Sequence, residues 1–330
     1  MATVLALTIG ESEWHRSAYE DFAKCVPLTK IKKHEIVSDP EKADIILFIE
    51  TGAQGHHSEP IRAHPYFKKY QEKCFVFGSI DHYIPFLPGF YSSVEKRWYN
   101  TNRLRTGFYL GGSGNKQITK MPWKEDLPYL FSFLGTASNH PVREVIMQLR
   151  HPRGFIKDTS GKVIKTFVGG NKEELNTLYQ DFNAVMQDSK FILCPRGAAC
   201  SSLRLFETMK AGRVPVILSD SWTPPIGPDW DSFSIRIPEA DVEKIPEILE
   251  AKEKDAKEMA RKARQEWEKW FSEEALFNTI VDGCLEIRKL RVLPEWLSYR
   301  LAFLYFLTPF HFRDYLRTRP YLQFLRRNQG

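Results

Sequence analysis

The sequence has no apolar run that reaches the eighteen or so residues of a membrane span. Its first residues, "MATVLALTIGESEW", carry neither the basic n-region nor the cleavage site of a signal peptide. No Asn-x-Ser/Thr sequon occurs. Together these absences predict a cytoplasmic chain. The five cysteines (Cys25, Cys74, Cys194, Cys200 and Cys284) are odd in number and widely spaced, with no Cys-x-x-Cys pair. That argues against a disulfide framework or a zinc site and predicts free thiols in a reducing compartment. A Gly-x-x-x-x-Gly-Lys-Ser/Thr loop is missing too, which argues against a P-loop kinase or sulfotransferase. There is no internal repeat and no long low-complexity tract.

Net charge is lacking over most of the chain. The formal charge is +6, from 47 Lys/Arg against 41 Asp/Glu. Residues 286–330 hold nine of the basic residues and three of the acids, leaving 38 against 38 elsewhere. A nucleic-acid binder needs a basic face on its folded body, so no nucleic-acid partner is expected.

What is present suits a globular protein: 42% hydrophobic and 13% aromatic residues, enough for a sizeable core. Strands and helices alternate from the start. "TVLALTI", "DIILFI" and "CFVFGSI" read as buried strands separated by helical segments, the pattern of a parallel sheet covered on both faces. Gly, Ser, Pro and charge then cluster in "GGSGNKQITKMPWKEDLP" (111–128), which places a domain boundary there. The alternation restarts with "YLFSFLG", the helix "PVREVIMQLR", a helix over 171–189, the strand "KFILCP", the helix "LRLFETMKAG" and the strands "RVPVILS" and "FSIRIP". A long charged helix is predicted from Glu239 onward. The expected domains are residues 1–120, residues 121–290, and a basic aromatic tail over 291–330. Two consecutive α/β halves suggest paired Rossmann-like domains facing a cleft, with ligands at the carboxyl ends of the strands.

One stretch concentrates chemistry: "FILCPRGAACSSLRLFETMKAG" (191–212). A strand ends at Cys194-Pro195. A small-residue loop follows, which lets the backbone approach a ligand, and Ser201 or Ser202 can cap the helix that starts near Leu203. The first N–H groups of that helix form an anion site. Arg196 and Arg204 add planar guanidinium groups suited to phosphate. Glu207 lies three residues after Arg204 on the same helical face, placed to accept hydrogen bonds from ribose hydroxyls. Gly212 stops the helix. The bland alternative is a βαβ unit with Arg204 and Glu207 as a surface pair.

This segment resembles the exostosin family, glycosyltransferase family 47. The resemblance rests on Cys194-Pro195-Arg196-Gly197, on Ser202-Leu203-Arg204-Leu205-Phe206-Glu207, on Ala211-Gly212-Arg213-Val214-Pro215-Val216 and on Ser219-Asp220. "PDWDSFSIRIPEAD" (228–241) and "FSFLGTASNHPVRE" (131–144) are similar to further family segments, and "HPYFKKYQEKCFVFGSID" is similar more weakly. The resemblance implies a GT-B fold and an inverting transferase using a nucleotide sugar, most often UDP-linked, as substrate, with no cofactor. It implies a nucleotide-sugar site that includes Gly135, Ser138, Arg143, Arg196, Gly197, Ser201, Ser202, Arg204 and Glu207. Ser138 and Arg143 would approach the pyrophosphate. On this reading Arg204→Ala cripples donor binding with little loss of fold.

Asp229-Trp230-Asp231 has the Asp-x-Asp spacing of a metal-dependent transferase, but it falls in a Pro-rich turn, so no metal is expected there. An inverting reaction needs a base for the acceptor hydroxyl. Glu50, His56-His57, Asp81 and His82 stand at strand ends of the first half, and Asp81 or His82 is favoured because the family similarity passes through them. The aromatic, arginine-rich tail reads first as packing onto the body, and second as peripheral contact with an anionic membrane. The expected partners are therefore a nucleotide sugar, a glycan acceptor and such a membrane. A non-catalytic nucleotide-sugar or glycan-binding protein of the same fold is the alternative to an enzyme.

Overall fold

The computed structural model describes residues 1–51, 59–79, 81, 85–111, 114–160, 172–309 and 312. The chain forms two compact units. The first comprises Met1–Val94, Trp98–Gly112 and Glu273–Gly330, and the second Glu95–Arg97 and Ser113–Ser272. Strands β1 (Thr3–Leu7), β2 (Glu35–Ile36), β3 (Ile45–Glu50), β4 (Cys74–Gly78), β5 (Gly89–Tyr91) and β6 (Leu104–Thr106) build the first sheet in the order β2-β1-β3-β4-β5-β6. Strands β7 (Tyr129–Gly135), β8 (Gly154–Asp158), β9 (Ser189–Pro195), β10 (Val214–Leu218) and β11 (Ile235–Arg236) build the second in the order β11-β10-β9-β7-β8. Every pairing is parallel. Both units are therefore Rossmann-like, the pair that characterises the GT-B class.

The central strands are apolar throughout because helices cover both faces of a parallel sheet. All of Ile45–Ile49 in β3 and Cys74–Gly78 in β4 is buried. The second core gathers Phe131, Phe133, Phe191, Leu193, Val214, Val216 and Leu218 with Val142 and Ile146 from the helix Pro141–Gln148. That helix begins with Pro at its first turn, as the sequence predicts. All five cysteines are buried free thiols. Burial pushes the Cys194 thiol up to about 12, so this motif cysteine packs and does not act as a nucleophile.

The units differ from the expected partition. The change of unit falls at Gly112/Ser113 rather than at residue 120. The helix Leu276–Leu290, expected in the second domain, packs in the first. Its apolar face (Phe277, Ile280, Val281, Cys284, Ile287) is buried, with Phe277 edge-on to Phe22 of the helix Glu13–Leu28 at 5.9 Å. Gly283 has a packing reason, since a Cβ there would meet the Phe90 ring at 2.3 Å. The tail's first part follows the same route. Glu295 is fully buried against the Arg103 guanidinium at 2.8 and 2.9 Å.

The predicted long charged helix is also broken. It runs as a 3-10 turn (Glu239–Lys244), a helix (Ile245–Lys252), a second 3-10 turn (Glu253–Asp255) and a helix (Ala256–Trp270). Pro246 lacks the amide that would continue the turn before it, and Asp241 has non-helical φ −106° and ψ 17°. The predicted strand over 233–238 shrinks to two residues. It pairs with β10 only from Val216, just past Pro215, which has no N–H to give a ladder.

Candidate functional site

In the second sheet the chain leaves β7 for the edge strand β8, then returns to β9 on the other side of β7. Strand order reverses between β7 and β9, so the loops leaving their carboxyl ends diverge and open a crevice. A cavity of about 170 Å³ lies there, lined by Phe133–Thr136 and Pro195 from the two strand ends. Arg143, Thr159, Leu178, Tyr179, Phe182 and Ser202–Arg204 with Glu207 complete the lining. Ligand pockets usually run to ~300 Å³ or more, so this cavity is smaller than most.

The helix Leu203–Ala211 begins at this crevice. Ser202 occupies its N-cap in extended conformation (φ −133°, ψ 123°), but its side chain makes no capping bond, contrary to the expected serine cap. The first turn therefore presents its amides and its positive dipole end without a serine oxygen folded over them. The other end is as predicted: Gly212 is left-handed (φ 72°), and its amide bonds the Met209 carbonyl while Arg213 N–H reaches the Thr208 carbonyl. Arg213 is fully buried and donates to the carbonyls of Met186, Gln187, Gly212 and Pro122, which locks the helix to its surroundings.

Arg204 and Glu207 meet inside the cavity at 2.7 Å. The pair is not the surface pair of the bland alternative: Glu207 is 8% exposed. Its other oxygen accepts the Asn115 backbone N–H at 2.8 Å. Asn115 is itself held by the helix Lys172–Gln187, where its Nδ2 donates to Asn183 Oδ1 at 2.9 Å. The Arg204 guanidinium lies 4.0 Å from the centre of the Phe182 ring, so the cation is oriented from beneath by an aromatic face. A carboxylate, a cation and an open helix end thus share one pocket.

The other residues named from the sequence separate into three groups. Gly135 and Arg143 line the same cavity. A Cβ on Gly135 would meet Phe133 at 2.7 Å, so glycine there serves close packing. Arg143 is engaged with backbone: Nε donates to the Arg196 carbonyl at 2.7 Å, Nη2 to Pro195 at 3.1 Å and Nη1 to Thr136 at 3.2 Å. It ties the loop after β7 to the loop after β9, which makes it a positioning residue for both. Arg196 lies outside the cavity lining. Its Nη1 donates to Ser221 Oγ at 3.0 Å, and Glu239 stands 3.9 Å away. Gly197 follows it beside Arg143, with open space on its other sides. Ser138 is exposed on the short turn Ala137–Asn139. Ala199, Cys200 and Ser201 are buried beneath the loop, where Ser219 Oγ donates to the Cys200 carbonyl at 2.7 Å. Their small size serves packing rather than approach to a ligand.

In the first unit, strand order reverses between β1 and β3. Glu50 ends β3 at that point, and Oε1 accepts the Ile9 N–H at 2.7 Å and the Thr8 hydroxyl at 3.2 Å, both from just beyond β1. Burial nevertheless pushes its carboxyl up to about 7. Asp81 is exposed and accepts the Tyr109 hydroxyl at 2.9 Å. His82, with His56-His57, lies outside the described residues. Of the two described candidates, Glu50 and Asp81, only Glu50 therefore combines a switch-point position with a carboxyl poised near neutrality.

Sequence reasoning missed Thr159, Tyr179, Phe182 and Asn115. Thr159 follows β8, a polar edge strand without a clear apolar signal. The threonine is 3% exposed, lines the cavity, and its hydroxyl is buried with no hydrogen-bond partner among the described residues. Burial, with the Glu207 carboxylate adding, pushes the Tyr179 phenol up, so it stays protonated at neutral pH. Asn115 sits in the polar stretch read as a linker. Asp229-Trp230-Asp231 sits in the loop before β11, and the Trp230 indole donates to the Pro225 carbonyl at 2.9 Å.

Residues 113–252 match the Exostosin GT47 domain. The chain is 38% identical over 87 residues to the Exostosin-1 homolog of Caenorhabditis elegans, covering 26% of this chain and 23% of that protein. Drosophila melanogaster Exostosin-1 is 28% identical over 183 residues, 51% of this chain and 24% of its own length. A protein named "Probable glycosyltransferase" from Arabidopsis thaliana is 30% identical over 148 residues, 44% of this chain and 25% of its own. The chain thus spans about a quarter of the length of the curated relatives it matches. The second unit is an exostosin-like GT47 domain, and the crevice described above lies within the matched residues.

Proposed function

We propose, taking the exostosin-like GT47 domain as premise, that the protein is a glycosyltransferase that moves a sugar from a nucleotide donor, UDP-linked, to a glycan hydroxyl with inversion. One observation carries the reading: a helix N-terminus without a serine cap opens at the β7/β9 switch point onto a pocket holding Arg204 and Glu207. The helix amides and Arg204 suit a diphosphate, and the Glu207 carboxylate suits the ribose hydroxyls. The relative named as a glycosyltransferase supports the class of reaction. The donor is the substrate, and no cofactor is needed.

In this mechanism a general base, for which Glu50, Asp81 and His82 are the candidates, takes the proton of the acceptor hydroxyl, and that oxygen then attacks the anomeric carbon. The bond from that carbon to the diphosphate oxygen breaks, and the diphosphate leaves with its electron pair. The helix end and Arg204 stabilise that developing charge, the role a divalent ion plays in metal-dependent transferases. Turnover should therefore be unchanged by EDTA.

The test is incubation with UDP- and GDP-linked sugars, measuring release of free nucleotide. Slow hydrolysis of one donor supports the enzyme. Binding without turnover of any donor, with or without glycan acceptors, supports a non-catalytic binding protein instead. Thr159 sharpens the test. Its hydroxyl lines the pocket without a partner among the described residues, which supports a bond to a polar group of the bound nucleotide. Thr159→Val should cost about tenfold in donor affinity, the worth of one hydrogen bond, while the melting temperature holds or rises. Unchanged affinity by calorimetry would remove Thr159 from the site.

A further inference from the structure

In the described part of the carboxy-terminal segment two charged groups face the body: Glu295 is fully buried in a two-bond pair with Arg103, and its backbone amide donates to Glu72 at 2.7 Å. Arg291 reaches the same Glu72 carboxylate at 2.7 Å. Tyr299 accepts from Arg62 at 2.6 Å and sits edge-on to Phe67 at 5.2 Å. The large apolar side chains point outward. Val292 is 78% exposed, Leu307 73% and Phe303 57%, and Trp296, Leu301 and Leu304 are exposed beside them. Of fifteen exposed large hydrophobic residues among those described, nine fall between Leu290 and Phe312. Scattered exposed leucines need no explanation, but a concentration like this one marks a surface that meets something apolar.

Charge says what that is. The same stretch, residues 286–330, carries nine Lys/Arg against three acids in a chain otherwise balanced. Arg300 is exposed and lies over the Trp296 ring at 5.4 Å, a cation and an aromatic side by side on the surface. A second copy of this chain would bring two segments of like net charge together. An anionic bilayer matches both features at once, with an apolar interior for the side chains and negative headgroups for the arginines. The described helices here are short, Glu295–Leu301 and a 3-10 turn Ala302–Leu307, and no helix among the described residues is long and apolar enough to cross a membrane. We infer that Val292–Leu307 rests in the interfacial layer of an anionic membrane, held in that attitude by the buried Arg103–Glu295 pair.

This inference goes beyond sugar transfer and can fail independently of it. Flotation of the full chain with vesicles tests it directly. Vesicles containing about 30% phosphatidylserine should carry the protein, and pure phosphatidylcholine vesicles should carry several-fold less. Raising NaCl from roughly 50 to 500 mM should release most of it, because the headgroup attraction is screened. A Val292→Ser, Phe303→Ser, Leu307→Ser chain changes only exposed side chains, so its melting temperature and UDP affinity should match the parent. Its bound fraction on the anionic vesicles should fall at least ~10-fold, since each lost side chain removes part of the insertion energy. No binding to anionic vesicles, or equal binding by the substituted chain, overturns the inference. So does a dimer in sedimentation that the three serines dissolve, because the surface would then belong to a second copy.

Discussion

A chain carrying Arg204→Met together with Glu207→Gln will fold with a near-normal melting temperature and bind UDP at least ~100-fold more weakly, through loss of charge-assisted contacts to phosphate and ribose. Both substitutions are needed for a clean result. Arg204→Ala alone, benign on the sequence reading, would strip the cation from a carboxylate that is 8% exposed and 2.7 Å away. Leaving a buried charge unpaired costs about 3 kcal/mol or more, so a loss of binding could be a loss of fold. The double substitution removes both charges. Glutamine keeps an oxygen for the Asn115 amide, and methionine keeps a soft contact with the Phe182 ring. Calorimetry with UDP, read beside thermal unfolding, separates the two effects. Parental UDP affinity in this chain would sink the assignment of the crevice, and with it the proposed reaction.

Glu50→Gln should lower turnover by at least ~100-fold, the usual worth of a positioned base. The same substitution should make the protein more stable at pH 8. The sign follows from burial. An unfolded Glu50 ionises near its ordinary value of 4.5, and the folded one near 7. Between those values the folded chain binds the proton more tightly, so stability falls as pH rises through that window and stays reduced above it. The full loss is about 3 kcal/mol. The amide has no charge to desolvate, and its oxygen still accepts from Ile9. Wild type and variant should therefore melt alike near pH 4 and diverge by pH 8, with the variant higher. The parent's rate should rise with pH through about 7 as the base ionises, with that limb lost in the variant. Full activity in the Glu50→Gln chain would return the role of base to Asp81 or His82. Equal melting at pH 8 would show that the carboxylate is not the desolvated group described. A stability gain coupled to a loss of function is what a residue held in a costly environment for chemistry should show.

The outline of the fold was readable because parallel sheets write themselves as unbroken apolar runs, as in β3, β4, β9 and β10. Edge strands do not. β2 is exposed at both residues, and β8 is half-exposed and ends in lysine and aspartate, so neither stood out. The helix end at Gly212 and the proline at the start of Pro141–Gln148 were equally legible, since both follow from backbone chemistry local to a few residues. Arg196 was grouped with Arg204 because both stand in one motif, and Arg143 because the family resemblance of residues 131–144 implied a place at the pyrophosphate. Guanidinium groups reach several ångströms in any direction, and only packing decides what they reach. One clamps carbonyls, one turns to Ser221, and one enters the crevice.

By itself, then, the sequence determined two α/β halves, a strand–loop–helix that carries Arg196, Arg204 and Glu207, and a tail whose charge sets it apart. These depend on local spacing and on which residues can be buried. Tertiary structure decided that Glu207 is paired and held by Asn115 from 92 residues earlier in the chain. It decided that Thr159 brings to the same pocket a hydroxyl with no partner among the described residues, and that Glu50 sits at a strand-order reversal with its carboxyl near neutrality. It also decided that Glu295 turns inward to Arg103 while Val292, Trp296, Phe303 and Leu307 stay exposed. Each is a meeting of residues far apart in the chain, and its energy comes from desolvation, which no local pattern encodes.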